Sequence, residues 1–143
     1  MISIKSALAK PFAKHVYKNI QKWAKKPVET QEKVFQELIA AATSTQFGKD
    51  HDFISINNYK DFVKHVPVRD YEDLKPYVDR VVAGEEHVLW KGKPIYFAKT
   101  SGTTSGAKYI PISKESMPFH VESARNAILM YIHETGKTKF VDG

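Results

Sequence analysis

The sequence predicts an α/β fold in which a helical N-terminal part leads into a strand–loop–helix–strand unit. Three observations predict it. Apolar residues recur at helical steps through most of residues 1–86. A run rich in strand-favouring residues, HVLWKGKPIYFAKT at 87–100, then interrupts the helical pattern. A second long helical pattern follows at 114–136, and KTKFVDG at 137–143 opens as a further strand. A length of 143 residues with 42% hydrophobic content suits one domain with a real core. The organisation reads as a basic amphipathic helix over 1–26, a helical subregion over 27–86, and the start of an α/β unit over 87–143. A parallel sheet needs further crossovers after that point, so the chain is expected to be the N-terminal portion of something longer.

In the first segment, Ile4, Leu8, Phe12, Val16 and Ile20 stand at steps of four, ending near Trp23. That spacing makes an apolar stripe with lysines on the other faces. Pro11 removes a backbone donor, so a break or kink is expected beside it. The stripe is expected to dock on the protein itself; the competing reading is a basic helix lying on an anionic membrane. Pro27 separates this helix from the next, ETQEKVFQELIAAATSTQFG, which sets Val34, Leu38 and Ala41 on one face with Phe35 beside it and Gly48 as its end. KDHDFISI reads as a loop or short extended piece. Asn57 or Asn58 caps a short helix that stops before Pro67. Asp70 caps YEDLKPYVDRVVAG, with Leu74, Tyr77, Val78 and Val81 on one face, a new turn at Pro76 and Gly84 as terminator. Two short strands are expected around a Lys91–Gly92–Lys93 turn. Ser113 caps the last helix, regular after Pro118 and ending at Gly136.

Composition narrows the chemistry. Without cysteine there is no disulfide framework, thiolate nucleophile or thiolate metal site, which suits a reducing cytoplasm. No apolar run approaches the roughly 20 residues of a membrane span, so a soluble, cytoplasmic protein is expected. The seven lysines of residues 1–26 meet no acidic residue there; they outweigh the net charge of +6 and leave 27–143 at −1. Basicity is local, and a dispersed nucleic-acid surface is not indicated. The six histidines show no metal-ligand spacing. Asp70/Asp73 and Glu85/Glu86 read as caps and solvated helix ends, and Trp23 and Trp90 as packing residues.

FAKTSGTTSGAKYIP at 97–111 is the stretch that points to function. Gly102 and Gly106 permit positive φ, which turns backbone N–H groups inward to form an anion-binding nest. The hydroxyls of Thr100, Ser101, Thr103, Thr104 and Ser105 add donors, and Lys108 adds a compact positive charge. A plain strand-to-helix connector needs one or two turn residues, not seven small polar ones in succession. Only three residues separate Gly102 from Gly106, so the pattern G-x-x-x-x-G-K-[ST] fails, as does G-x-G-x-x-G. The Gly136-Lys137-Thr138 decoy fails too, since Tyr131 stands where its first glycine should be.

The loop resembles the phosphate-binding signature of the adenylate-forming enzymes. Within that superfamily the chain is similar to the Gretchen Hagen auxin-responsive family, the acyl acid amido synthetases. The resemblance rests on STQFGKDHDF at 44–53, DFVKHVPVRDYEDLKPYVDRVVAGEEHVL at 61–89 and PIYFAKTSGTTSGAKYIPIS at 94–113, with a basic helical N-terminus in general character. Ala107-Lys108-Tyr109 departs from the Pro-Lys-Gly of ordinary acyl-CoA ligases. The resemblance implies a ligase that uses ATP and Mg2+ to form an acyl-adenylate from a small carboxylic acid and then transfers the acyl group to an amino acid. It implies that Thr100, Ser101, Gly102, Thr103, Thr104, Ser105, Gly106 and Lys108 contact the phosphates. It implies also that the adenine site, the acyl pocket and a mobile C-terminal domain lie beyond Gly143, leaving this segment inactive alone. Neither nucleic acid nor membrane is an expected partner, with the helix over 1–26 the one element against the latter. The alternatives are a non-catalytic helical interaction or membrane-surface module, and an acyl-CoA ligase.

Overall fold

The computed structural model describes residues 4–101 and 106–142. Six helices and one hairpin make up the described chain: α1 (Ile4–Ala24), α2 (Pro27–Ala42), α3 (Gln46–Asp50), α4 (Tyr59–His65), α5 (Tyr71–Val82), β1 (Tyr96–Lys99), β2 (Tyr109–Ile112) and α6 (Met117–Thr135). Single 3-10 turns stand at Phe53–Ser55 and Lys139–Val141. The chain divides into two compact units, one of residues 1–30 with 117–143 and the other of residues 31–116.

The first unit is built on α1 against α6. Its core is Ala13, Val16, Leu129 and Ile132, with Ala9, Ile20 and Val141 packed around it. Ser6 Oγ donates to the Asp142 carboxylate at 2.7 Å, tying the start of α1 to the residues after α6. The face of α1 that docks is therefore not the expected stripe. Val16 and Ile20 belong to both, but toward the N-terminus the contact runs through Ala9 and Ala13, one position on from Leu8 and Phe12. Small residues let the two helix backbones approach, and Ile4, Leu8 and Phe12 remain 79%, 64% and 47% exposed. The expected break at Pro11 is absent as well. Pro11 and Ala7, whose carbonyl loses its partner, both face solvent, so water can satisfy that oxygen while packing holds the helix. Pro76 sits inside α5 on the same terms, with Glu72 exposed one turn before it.

The second unit gathers Ile39, Ala42, Phe53 and Ile56, with Phe35, Phe47, Phe62, Val66 and Trp90 against them. Here α2 also presents a face one residue on from the expected one: Phe35, Ile39 and Ala42 in place of Val34, Leu38 and Ala41. Helix α2 stops at Ala42 and a separate helix begins after Thr45. Thr45 is fully buried, accepts the Gly48 N–H at 3.0 Å and donates to the Ala42 carbonyl at 2.7 Å. Gly48 thus does not end a helix as expected; it lies buried inside α3, where a Cβ would collide with the Ala42 carbonyl oxygen. Two of the expected caps hold, but Ser113 does not cap α6: it accepts the Ser116 N–H at 3.0 Å in the turn before that helix, which begins at Met117. Asn58 accepts the Asp61 N–H, and Asp70 accepts the Asp73 N–H, each at 3.0 Å. Gly84 follows α5 at φ +93°, and Arg80 closes that end with a two-pronged bond to Glu85.

Three strand expectations are corrected. Residues 87–90 form no strand; His87 takes φ +58° and Gly92 φ +69°, which closes a turn through His87 N–H to Gly92 O and Gly92 N–H to His87 Nδ1. That turn serves another purpose, because His87 O and Val88 O accept the N–H groups of Gln46 and Phe47, two of the first donors of α3. Strand β2 was not expected at all, and the order becomes strand–loop–strand–helix. Residues 139–141 make a 3-10 turn where a further strand was expected. The described sheet is an antiparallel hairpin, not the opening of a parallel one, and the fold is mostly helical.

Candidate functional site

The hairpin is what presents the glycine–hydroxyl loop. Tyr96 pairs with Ile112, Phe97 with Pro111, Ala98 with Ile110 and Lys99 with Tyr109, so residues 100–108 are the hairpin's own connection. The ladder extends beyond the last strand pair, since Thr100 N–H donates to Lys108 O at 3.1 Å. Lys108 N–H returns a bond to Thr100 Oγ1 at 3.3 Å. At the other end Ile95 N–H donates to Ile112 O at 2.9 Å. These bonds close the neck of the loop before its glycines and hydroxyls begin.

Of the expected phosphate contacts, Thr100, Ser101, Gly106 and Lys108 are described; Gly102, Thr103, Thr104 and Ser105 lie outside the described residues. Thr100, Ser101 and Gly106 are exposed, and Lys108 is half-buried. Gly106 takes φ +82° with open space around it, so its glycine is explained by backbone conformation and not by crowding.

Helix α5 supports one side of the neck. Tyr109 N–H donates to the Tyr71 hydroxyl at 2.9 Å, and the Lys108 ammonium lies 5.2 Å from the centre of the Tyr71 ring. Tyr71 can stand there because Asp70 starts the helix directly before it. On the opposite strand the Lys99 ammonium lies 5.7 Å from the Tyr109 ring, and Phe97 meets Tyr109 edge-on. Two lysines therefore flank the neck, each over an aromatic ring, a contact worth about 0.5–1 kcal/mol at an exposed position such as that of Lys99. An anion at the loop could draw both away at little cost. Sequence reasoning missed Lys99 and Tyr71. The apolar run YIPI after the loop was the available signal for a returning strand, and it would have put Lys99 opposite Tyr109. No local signal pairs Tyr71 with residues so far along the chain.

Beneath the hairpin is an apolar cavity of about 120 Å3 lined by Val81, Val88, Trp90, Pro94, Pro111 and Ser113. Trp90 Nε1 donates to Glu115 at 3.2 Å at its edge. The Glu115 carboxyl is held below its ordinary range, first by its own backbone N–H and then by Ser113 and Trp90. Trp90 is thus a packing residue, as expected, whose polar end is satisfied.

Residues 16–140 match the family model described as the GH3 family N-terminal domain. The indole-3-acetic acid-amido synthetase GH3.2 of Arabidopsis thaliana is 33% identical over 102 residues, covering 70% of this chain and 19% of that protein. The 4-substituted benzoates-glutamate ligase GH3.12 of the same plant is 32% identical over 102 residues, covering 71% of this chain and 16% of that protein. Indole-3-acetic acid-amido synthetase GH3.15, also from Arabidopsis thaliana, is 32% identical over 113 residues, 76% of this chain and 18% of that protein. The chain spans less than a fifth of the length of these three relatives. The family model covers the chain nearly from end to end, including the stretches that carry the resemblance, and the relatives agree with it: this protein belongs to the GH3 family, the Gretchen Hagen acyl acid amido synthetases.

Proposed function

We propose that this chain supplies the polyphosphate grip of an ATP-dependent ligase that joins a small carboxylic acid to an amino acid. The observation that carries the reading is the closed neck of the 100–108 loop, with Thr100 and Lys108 bonded across it and Lys99 and Lys108 on its flanks. A loop tied at its base, with Ser101 and Gly106 exposed beside the tie, is suited to fold its N–H groups around an anion. The names of the relatives, amido synthetases and a glutamate ligase, support the amide-forming half of the proposal.

In the proposed first step a carboxylate oxygen of the acid attacks the α-phosphorus of ATP, the bond to the β-phosphate oxygen breaks, and pyrophosphate leaves with its electron pair. In the second, the amino acid's amine attacks the acyl carbon, the carbon–oxygen bond to AMP breaks, and the amine proton passes to solvent. The role assigned here falls in the first step. Charge builds on the departing pyrophosphate, and donors already aimed at it lower the barrier without reorganising. Ser101, Gly102, Thr103, Thr104, Ser105 and Gly106 supply those donors, Thr100 anchors the neck, and Lys108 adds a point charge. Each hydrogen bond to a charged oxygen is worth about 1.5–3 kcal/mol. Magnesium enters as the companion of the polyphosphate. Among the described residues no group of three or more histidines or carboxylates gathers to hold a metal. A reducing cytoplasm is the compartment that a cysteine-free chain acting on ATP suits.

Two measurements test the proposal. In the 143-residue chain, titration with tripolyphosphate followed by amide NMR is expected to move the resonances of Thr100, Ser101 and Lys108 and to spare those of α2. Expressed from its complete reading frame, the protein is expected to exchange pyrophosphate into ATP only when a carboxylic acid is present. Replacing Ser101 and Thr104 together by alanine is expected to slow that exchange by about tenfold or more. An unchanged rate would sink the loop assignment.

A further inference from the structure

All of the chain's net charge lies in one of its two units. Residues 1–30 with 117–143 contain ten basic and four acidic side chains, a balance of +6, whereas residues 31–116 contain twelve of each. Most of that excess sits on or just after α1, whose lysines 5, 10, 14, 18 and 22 are all exposed, as are Lys25 and Lys26 beyond its end.

The same helix leaves large apolar side chains in solvent. Its docked face is spent on Ala9, Ala13, Val16 and Ile20. The arc beside that face holds Ile4, Leu8, Phe12 and Trp23, with Trp23 54% exposed, and His15 and Asn19, bonded to each other at 3.0 Å, stand among them. On a helical wheel Lys18 and Lys22 border the arc on one side and Lys5 on the other. Arg125 of α6 lies over the Phe12 ring at 5.8 Å and is itself paired with Glu122 at 2.9 Å, which leaves Phe12 47% exposed. An open groove of about 380 Å3, lined by Phe12, His15, Trp23, Glu122, Arg125 and Asn126 among others, runs beside the two aromatic side chains.

We propose that this face of α1 is a docking surface for an anionic lipid bilayer. Ile4, Leu8, Phe12 and Trp23 would enter the boundary between headgroups and acyl chains, and Lys5, Lys18 and Lys22 would meet lipid phosphates and carboxylates at its rim. Charge complementarity selects this occupant. An apolar arc rimmed by lysines, on a unit with an excess of six positive charges, fits a negatively charged surface that offers both phases. A second copy of the chain would instead bring two +6 units together. No helix among the described residues is long and apolar enough to cross a membrane, so the mode is peripheral. The proposal is independent of the phosphate loop, which lies in the other unit.

The test is co-sedimentation of the 143-residue chain with vesicles of phosphatidylcholine alone and of phosphatidylcholine containing about 30% phosphatidylserine. Binding is expected to the anionic vesicles only and to weaken as salt is raised. The double variant K18E/K22E is expected to lower partitioning by about tenfold or more. Leu8→Ser combined with Trp23→Ser, both at exposed positions, is expected to lower it comparably while far-ultraviolet circular dichroism stays unchanged. The Trp23 emission, taken as the difference between wild type and W23F, should shift to the blue on anionic vesicles. Any of four results overturns the proposal: no binding to either vesicle; equal binding to neutral vesicles; binding indifferent to both double variants; or a dimer in analytical ultracentrifugation that L8S/W23S dissociates. Failure of the protein expressed from its complete reading frame to sediment would likewise overturn it, by showing that the face is covered within the protein.

Discussion

The hydroxyl of Tyr71, in the first turn of α5, accepts the backbone N–H of Tyr109, the first residue of β2, at 2.9 Å. This one bond ties the returning end of the glycine–hydroxyl loop to a capped helix. Tyr71→Phe removes the bond and keeps the ring beneath Lys108. The expected cost is about 1 kcal/mol, the usual net worth of such a bond. Faster hydrogen exchange at the Tyr109 amide is the readout, and unchanged exchange would show that the hairpin holds the neck alone.

Gly48→Ala is expected to destabilise the second unit by at least about 2 kcal/mol, because the added methyl would sit on the Ala42 carbonyl and within 3.0 Å of that of Thr43. Both contacts are backbone and cannot swing aside. Chemical denaturation of the variant measures the loss. A stability equal to wild type would mean that the corner between α2 and α3 can open without penalty.

Two caps differ in burial and should differ in cost. Asp70→Ala loses an exposed cap on α5 and is expected to cost about 1 kcal/mol. Thr45→Ala loses an acceptor for Gly48 N–H and a donor to Ala42 O at a fully buried site, with an expected cost nearer 2 kcal/mol. Denaturant midpoints for the pair test the order.

The Tyr77 hydroxyl donates to the Asp50 carboxylate at 2.8 Å. That bond, with a second from Gln46, holds the Asp50 carboxyl below its ordinary range. Burial and the same bond hold the Tyr77 phenol above its own. A lowered carboxyl stabilises the fold above its unfolded range, and the gain is lost as pH falls through the depressed folded value. A raised phenol stabilises the fold below its unfolded range, and the gain is lost as pH rises through the elevated one. Stability should therefore have a plateau at neutral pH and decline on both sides. Both declines should be modest at these largely solvated groups. Tyr77→Phe is expected to abolish the alkaline decline and to reduce the acid one to what Gln46 sustains, measured as urea stability across the pH range.

Capped helices were the legible part of this fold. Asn58 and Asp70 announced α4 and α5 because a side-chain acceptor three residues before an N–H acts within a few ångströms and needs nothing from the rest of the chain. The phases of α1 and α2 were not legible. In both, the apolar spacing suggested one face, and the packed face lies one residue further on, through Ala9 and Ala13 in α1 and through Phe35, Ile39 and Ala42 in α2. Periodicity shows that a helix has a side to bury. The choice between adjacent apolar arcs is made by the partner surface: in α1 close approach to α6 favours Ala9 and Ala13, and in α2 the aromatic cluster of Phe47, Phe53 and Phe62 takes Phe35 and Ile39.

The family was legible, since it resides in residue order, and the glycine–hydroxyl run at 100–108 was legible as a loop. Its mounting was not. Residues 87–90 look like a strand and instead bend to supply carbonyls to the start of α3, a duty set by Gln46 and Phe47 some forty positions earlier. Strand β2 exists because YIPI finds a partner in β1, and its neck is steadied by Tyr71. The sequence by itself determined where the chain turns at Gly84 and Gly106 and which side chains cap α4 and α5, for those are matters of local backbone freedom and side-chain acceptors. Only the tertiary structure decided which face of each helix is buried and what stands at the neck of the loop, because hydrogen bonds and packing between distant residues are satisfied jointly and leave no local trace.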